Sequence, residues 1–131
     1  MIVNLCYVAL GGGLGAVCRY LCSFFPAYSV KGFPCGTLLV NFLGCLLIGV
    51  VTEAVGNALL FNSQLNDKLS LLLKVGFCGG FTTFSTFSLE MLNMMDDGKV
   101  FGALVYACAS VILCLAGVML GRYLMKIICV K

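Results

Sequence analysis

Gly76-Phe77-Cys78-Gly79-Gly80-Phe81-Thr82-Thr83-Phe84-Ser85-Thr86-Phe87-Ser88 is the stretch on which the fold turns. It lies inside an apolar run from Leu69 to about Met95, long enough to cross a bilayer as a helix. Yet the adjacent glycines Gly79 and Gly80 each disfavour helix by about 1 kcal/mol relative to alanine. Five of the seven residues from Thr82 to Ser88 carry hydroxyls, which bond backbone groups locally and compete with the helical ladder. Backbone groups freed at membrane depth are tolerated only where protein or a polar cavity satisfies them. The expectation is a helix broken near 79–83 beside a buried polar site. The alternative is an unbroken helix whose hydroxyls bond back to the preceding turn and whose glycines serve packing. Broken membrane helices commonly hold ions, because unwound carbonyls suit cations while helix ends and donors face anions.

The rest of the chain agrees with a membrane setting. Of 131 residues, 62% are hydrophobic and 10% charged, and the mean hydropathy is +1.12. That composition excludes an ordinary water-soluble domain. At about 20 apolar residues per crossing there is room for four spans, at approximately 2–24, 34–56, 69–95 and 100–122, in one all-α transmembrane domain. No separate enzymatic module fits, and no cluster of nucleophile, base and acid is apparent, so an enzyme is not expected.

The first run, from Ile2, lacks the charged region and small-residue cleavage site of a signal peptide and is read as a helix that stays. Phe25-Pro26 favours extended chain after it, and Pro34 suits the first turn of the second span. Asn57 to Lys68 reads as a polar loop, and Asp96-Asp97-Gly98-Lys99 as a turn. Lys68, Lys74, Arg122, Lys126 and Lys131 then fall toward the terminal side, against Arg19, Lys31 and Lys99 toward the other. Five against three is a weak positive-inside bias, which permits insertion with the termini inside or in both orientations.

Small residues at four-residue spacing, Gly11 with Gly15, Gly12 with Ala16, Cys45 with Gly49 and Gly117 with Gly121, point to close helix packing. Four short helices are few to enclose a pore, so an oligomer is expected on size. The nine cysteines include no Cys-x-x-Cys, and there is no histidine, which argues against a zinc or iron–sulfur site. An odd count argues against a disulfide framework, and the thiols are expected to be reduced and to pack as small hydrophobes. No organic cofactor and no nucleic-acid partner are expected.

Three polar pairs stand at i, i+4 spacing on three spans: Thr37 with Asn41, Thr82 with Thr86, and Tyr106 with Ser110. Each could form one face of a polar track. An amide in the middle of an apolar span is costly unless its groups are used, either by another helix or by a permeant species. Both readings stand for Asn41, and a structural reading stands beside a pore reading for Tyr106 and Ser110. Phe84 and Phe87, three apart, read alone as core; set among hydroxyls, their electropositive ring edges could face a small anion. Glu90 could share the Thr83-Phe87 face and be an internal acceptor for hydroxyls, or be solvated if it lies nearer the interface.

Three separated segments resemble the Fluc fluoride channels, the CrcB family: Gly11-Gly12-Gly13-Leu14-Gly15-Ala16-Val17-Cys18-Arg19-Tyr20, Pro34-Cys35-Gly36-Thr37-Leu38-Leu39-Val40-Asn41-Phe42-Leu43-Gly44, and Gly76 to Ser88 with Glu90. The resemblance covers essentially the whole chain. It implies an antiparallel, dual-topology dimer in the cell membrane, with two narrow pores passively exporting fluoride from the cytoplasm. In this sequence it makes Asn41 the pore amide and Phe84 and Phe87 the aromatic lining. Thr37, Ser85, Thr86, Glu90, Tyr106 and Ser110 become polar-track residues, and Arg19 a vestibule cation. It further implies a structural sodium ion at the dimer centre, held by the backbone carbonyls of Gly79 and Thr82 from both subunits. Some members of that family pair two different chains; with the asparagine and both phenylalanines present here, the expectation is a homodimer rather than a heterodimer with a sister subunit.

Two other functions fit a small helical membrane protein. A dual-topology proton-coupled exporter needs a titratable carboxylate deep in the membrane, a part only Glu53 or Glu90 could play. A non-transporting membrane assembly subunit would use its glycines and hydroxyls for packing alone.

Overall fold

The chain is described by a computed structural model covering residues 1–25, 32–56 and 62–129. Its regular elements are helical: α1 (Ile2–Cys22), α2 (Cys35–Gly56), α3 (63–81), α4 (Phe84–Asp96) and α5 (Val100–Cys129). At 1.5 Å per residue, α1, α2 and α5 run for about 30 to 45 Å, and each is apolar and long enough to cross a bilayer. α3 is composite. Ser63–Leu69 is α-helical, Ser70–Cys78 has the wider π-type turns, and Gly79–Phe81 returns to α.

Several boundaries differ from the sequence reading. Ser63 to Lys68 is helix rather than loop, because Asn62 caps it: its side-chain oxygen accepts from the Leu65 amide at 2.9 Å. Asn57 to Phe61 of that expected loop lie outside the described residues, as do Pro26, Lys31 and Lys131. α1 stops at Cys22, and α5 runs past Arg122 to Cys129. No glycine or proline interrupts residues 122–129, and Lys126 in the last turn complements the helix dipole. Lys74 lies within α3, half-buried.

Packing divides the helices into two close pairs. α1 lies along α3 because glycines let the backbones meet: a Cβ on Gly15 would sit 2.8 Å from the Phe81 nitrogen, and one on Gly76 would sit 2.9 Å from the Gly11 Cα. α2 lies along α5 in the same way, where a Cβ on Gly121 would meet the Val50 nitrogen at 2.9 Å. Glu53 on α2 pairs with Arg122 on α5, Nε to carboxylate 3.2 Å. α4 turns back onto α5 through Gly98, whose φ of 76° only glycine adopts readily. There the Gly98 amide donates to the Met95 carbonyl and the Lys99 amide to that of Met94, the Schellman pattern of a helix end. The return buries Phe87 and Met94 against Ala103 and Tyr106.

Candidate functional site

Between Phe81 and Phe84 the helix gives way to two extended residues, Thr82 (φ −77°, ψ 157°) and Thr83 (φ −147°, ψ 113°). Gly79 and Gly80, where the sequence suggested the weakness, are themselves helical, and Gly80 instead admits the Gly12 carbonyl. The threonines make the change of direction tolerable. Thr82 donates both its amide and its hydroxyl to the Cys78 carbonyl, at 3.0 and 2.9 Å. Thr83 Oγ1 accepts from the Thr86 amide at 3.1 Å, capping α4, and donates to Thr86 Oγ1 at 2.9 Å. Ser85 Oγ lies 3.2 Å from Thr83 Oγ1, and Ser88 donates back to the Phe84 carbonyl.

The remaining backbone groups of Thr83 are met from another helix. Asn41 on α2 donates Nδ2–H to the Thr83 carbonyl at 3.1 Å and accepts the Thr83 amide on Oδ1 at 2.7 Å. The i, i+4 pairing of Thr82 with Thr86 is not made, because the extended residues separate them onto different helices. The capping has a further result. The Thr83 amide, which in a continuous helix would close on the Gly79 carbonyl, goes to Asn41; the Thr86 amide, which would close on the Thr82 carbonyl, goes to Thr83 Oγ1. Gly79 and Thr82 thus present carbonyl oxygens whose helical donors are engaged elsewhere, on an exposed and a half-exposed residue.

A cleft of about 260 Å³ opens beside this junction, lined on its polar side by Asn41, Thr82, Thr83 and Ser110 and on its aromatic side by Phe84 and Phe87. All its lining residues are uncharged. Phe84 is 78% exposed and Phe87 only 9%, with ring centroids 5.4 Å apart. The Ser110 Oγ is buried and has no hydrogen-bond partner among the described residues. Buried hydroxyls are ordinarily paired.

One helical turn from Asn41 and from Ser110, respectively, Thr37 and Tyr106 are fully buried and converge on Glu90. Thr37 Oγ1 donates to Glu90 Oε1 and the Tyr106 hydroxyl to Oε2, both at 2.8 Å. The Phe87 ring stands between the two levels, its centroid 5.1 Å from that of Tyr106. The structure therefore brings Asn41, Phe84, Phe87 and Ser110 to the cleft and Thr37, Tyr106 and the half-buried Glu90 to a second level beside it. Ser85 and Thr86 lie at the start of α4 and do not line the cleft, nor does Arg19 in the last turn of α1. Sequence reasoning missed Thr83 as the partner of Asn41, and Cys45 and Cys114 in the cleft wall. The cysteines had a signal: each lies four residues beyond a flagged polar residue, Asn41 or Ser110.

Residues 6–122 match the family described as CrcB-like protein, Camphor Resistance (CrcB). A protein of Ruminiclostridium cellulolyticum named fluoride-specific ion channel FluC is 42% identical over 128 residues, covering 97% of this chain and 95% of the relative. Relatives of the same name occur in Geobacter sulfurreducens, 44% identical over 87% of this chain and 90% of theirs, and in Francisella tularensis, 41% identical over 89% and 90%.

Proposed function

The chain belongs to the CrcB-like family, and from that membership and the cleft beside the Thr82-Thr83 junction we propose that it is a fluoride-selective channel. The observation that carries the reading is the chemistry of the cleft: an amide, a buried hydroxyl without a partner among the described residues and two phenyl rings, with no charged side chain among them. Fluoride is small and strongly hydrated, so shedding water demands hydrogen-bond donors at close range. A lysine or arginine would hold it too firmly for rapid transit, whereas neutral donors and ring edges give several weaker resting places. Asn41 and Ser110 donate, and the edges of Phe84 and Phe87 carry the ion between levels. Thr37, Tyr106 and Glu90 would continue the polar track one helical turn beyond the cleft, with Ser85 and Thr86 beside it at the start of α4 and Arg19 drawing anions toward the mouth.

In this reading α3 and α4 together make one membrane crossing, interrupted near its middle, so that four crossings form a multi-pass protein of the cell membrane. A single chain leaves Phe84 78% exposed and the cleft open along one side, which favours a second copy as the missing wall. An antiparallel homodimer supplies it and yields two pores. The Gly79 and Thr82 carbonyls of both copies would hold a structural sodium ion, which when bound would supply the positive charge that those oxygens face. Downhill passage would export fluoride from the cytoplasm without bond chemistry. A proton-coupled exporter has less support, since Glu90 is held by two hydroxyls and Glu53 by Arg122.

Purified protein in liposomes loaded with fluoride tests the reading. Rapid fluoride efflux with negligible chloride efflux, and no dependence on a proton gradient, is expected; a folded preparation that passes no fluoride overturns it.

A further inference from the structure

Two thiols face each other in the wall of the cleft. Cys45 on α2 and Cys114 on α5 both line it, and the Cys114 side chain meets that of Cys45. Neither is in a disulfide. Because they stand one turn beyond Asn41 and Ser110, the pair adjoins the donors that contact the ion in the channel reading. Cys78 is 2% exposed and does not line the cleft.

The number of sulfurs decides what they can hold. Among the described residues there is no group of three or more His, Cys, Asp or Glu side chains arranged for a metal, so four-coordinate zinc has no site. A soft d¹⁰ ion is different: two sulfur ligands satisfy it, and sulfur selects it over harder ions. We propose that Cys45 and Cys114 together bind a soft, two-coordinate metal ion of the class of Hg(II) and Cu(I), and that its occupancy closes the cleft to fluoride. Binding breaks two S–H bonds and forms two S–metal bonds, releasing two protons to water, with no change of oxidation state. The ion then fills space between α2 and α5 beside Asn41 and withdraws room from an anion's path.

The second half of this inference rests on the channel reading, so the test has two arms. In the first, detergent-purified protein is treated with one equivalent of Hg(II) and then alkylated, and each cysteine is scored by mass spectrometry. Protection confined to Cys45 and Cys114 is expected; alkylation of both as without metal overturns the site, whether or not the protein conducts. In the second, fluoride efflux from liposomes is read as the ratio with and without Hg(II), so basal rate does not enter. Efflux of the native protein, and of a variant with the seven other cysteines replaced by serine, should fall by roughly tenfold or more. The Cys45→Ser/Cys114→Ser variant should keep a ratio near unity. Equal block in that variant, or no block in the native protein with the pair protected, overturns closure of the path.

Discussion

Asn41 and Thr83 exchange two hydrogen bonds, side-chain amide to backbone amide, at 3.1 and 2.7 Å. The pairing is what a neighbouring strand would supply in a sheet, delivered here by one side chain to one extended residue. It explains how the chain leaves the helical path without orphaning the Thr83 backbone.

Replacing Asn41 by alanine therefore withdraws a donor and an acceptor at once, each group left behind costing about 1–3 kcal/mol. Fluoride efflux of Asn41→Ala should fall sharply, and the protein should unfold at lower temperature in detergent. Efflux and melting both like the native protein would show that the amide matters to neither.

Phe84 and Phe87 predict a contrast. Phe87 is buried against Tyr106, so Phe87→Ala should lower stability by about 3–5 kcal/mol, as for a core ring. Phe84 is largely exposed in the single chain, and Phe84→Ile should leave the unfolding of the isolated chain nearly unchanged while fluoride efflux collapses. Undiminished efflux in Phe84→Ile removes the ring from the ion's path.

Glu90 is the shared acceptor of Thr37 and Tyr106, and hydrogen bonds to a charged group contribute about 1.5–3 kcal/mol each. Glu90→Gln retains an acceptor on one side and can donate to a hydroxyl oxygen on the other, whereas Glu90→Ala retains neither. Melting temperature should fall in the order native, Gln, Ala, and an alanine variant as stable as the native protein would contradict the arrangement.

Glycines close in sequence separate cleanly. A Cβ on Gly15 would strike the backbone of Phe77 and Phe81, which cannot rotate away, whereas one on Gly13 would meet nothing within 4 Å. Gly13→Ala should be neutral or stabilising by up to about 1 kcal/mol, and Gly15→Ala should fail to give folded protein. Equal yields and melting temperatures for the two would refute the close approach of α1 to α3.

Much of this was legible in the sequence because lipid enforces simple rules. Long uncharged runs announce helices, and hydroxyls crowded after glycines announce trouble with the ladder. The site was harder. Thr37, Asn41, Tyr106 and Ser110 were visible as pairs, but that Glu90 unites the outer two depends on a turn at Gly98 that brings α4 back onto α5. The expected break, near 79–83, rests on two glycines and the hydroxyls after them; Gly79 and Gly80 are helical and the extended residues are Thr82 and Thr83, whose hydroxyls can bond the backbone they disturb. Asn62 likewise reads as loop until its capping bond to the Leu65 amide turns the next residues into helix. Such outcomes follow from local hydrogen-bond geometry, which composition does not carry.

The π-type turns of Ser70–Cys78 leave α3 with slack in its chain length. Each i→i+5 ring encloses one residue more than an α-helical ring, so tightening a turn absorbs a missing residue without moving either end. A single-residue deletion between Ser70 and Val75 should thus keep Gly76, Gly80 and the threonines in register, while an insertion there has nothing left to loosen. The junction at Thr82 and Thr83 is thereby insulated from a change of chain length ahead of it.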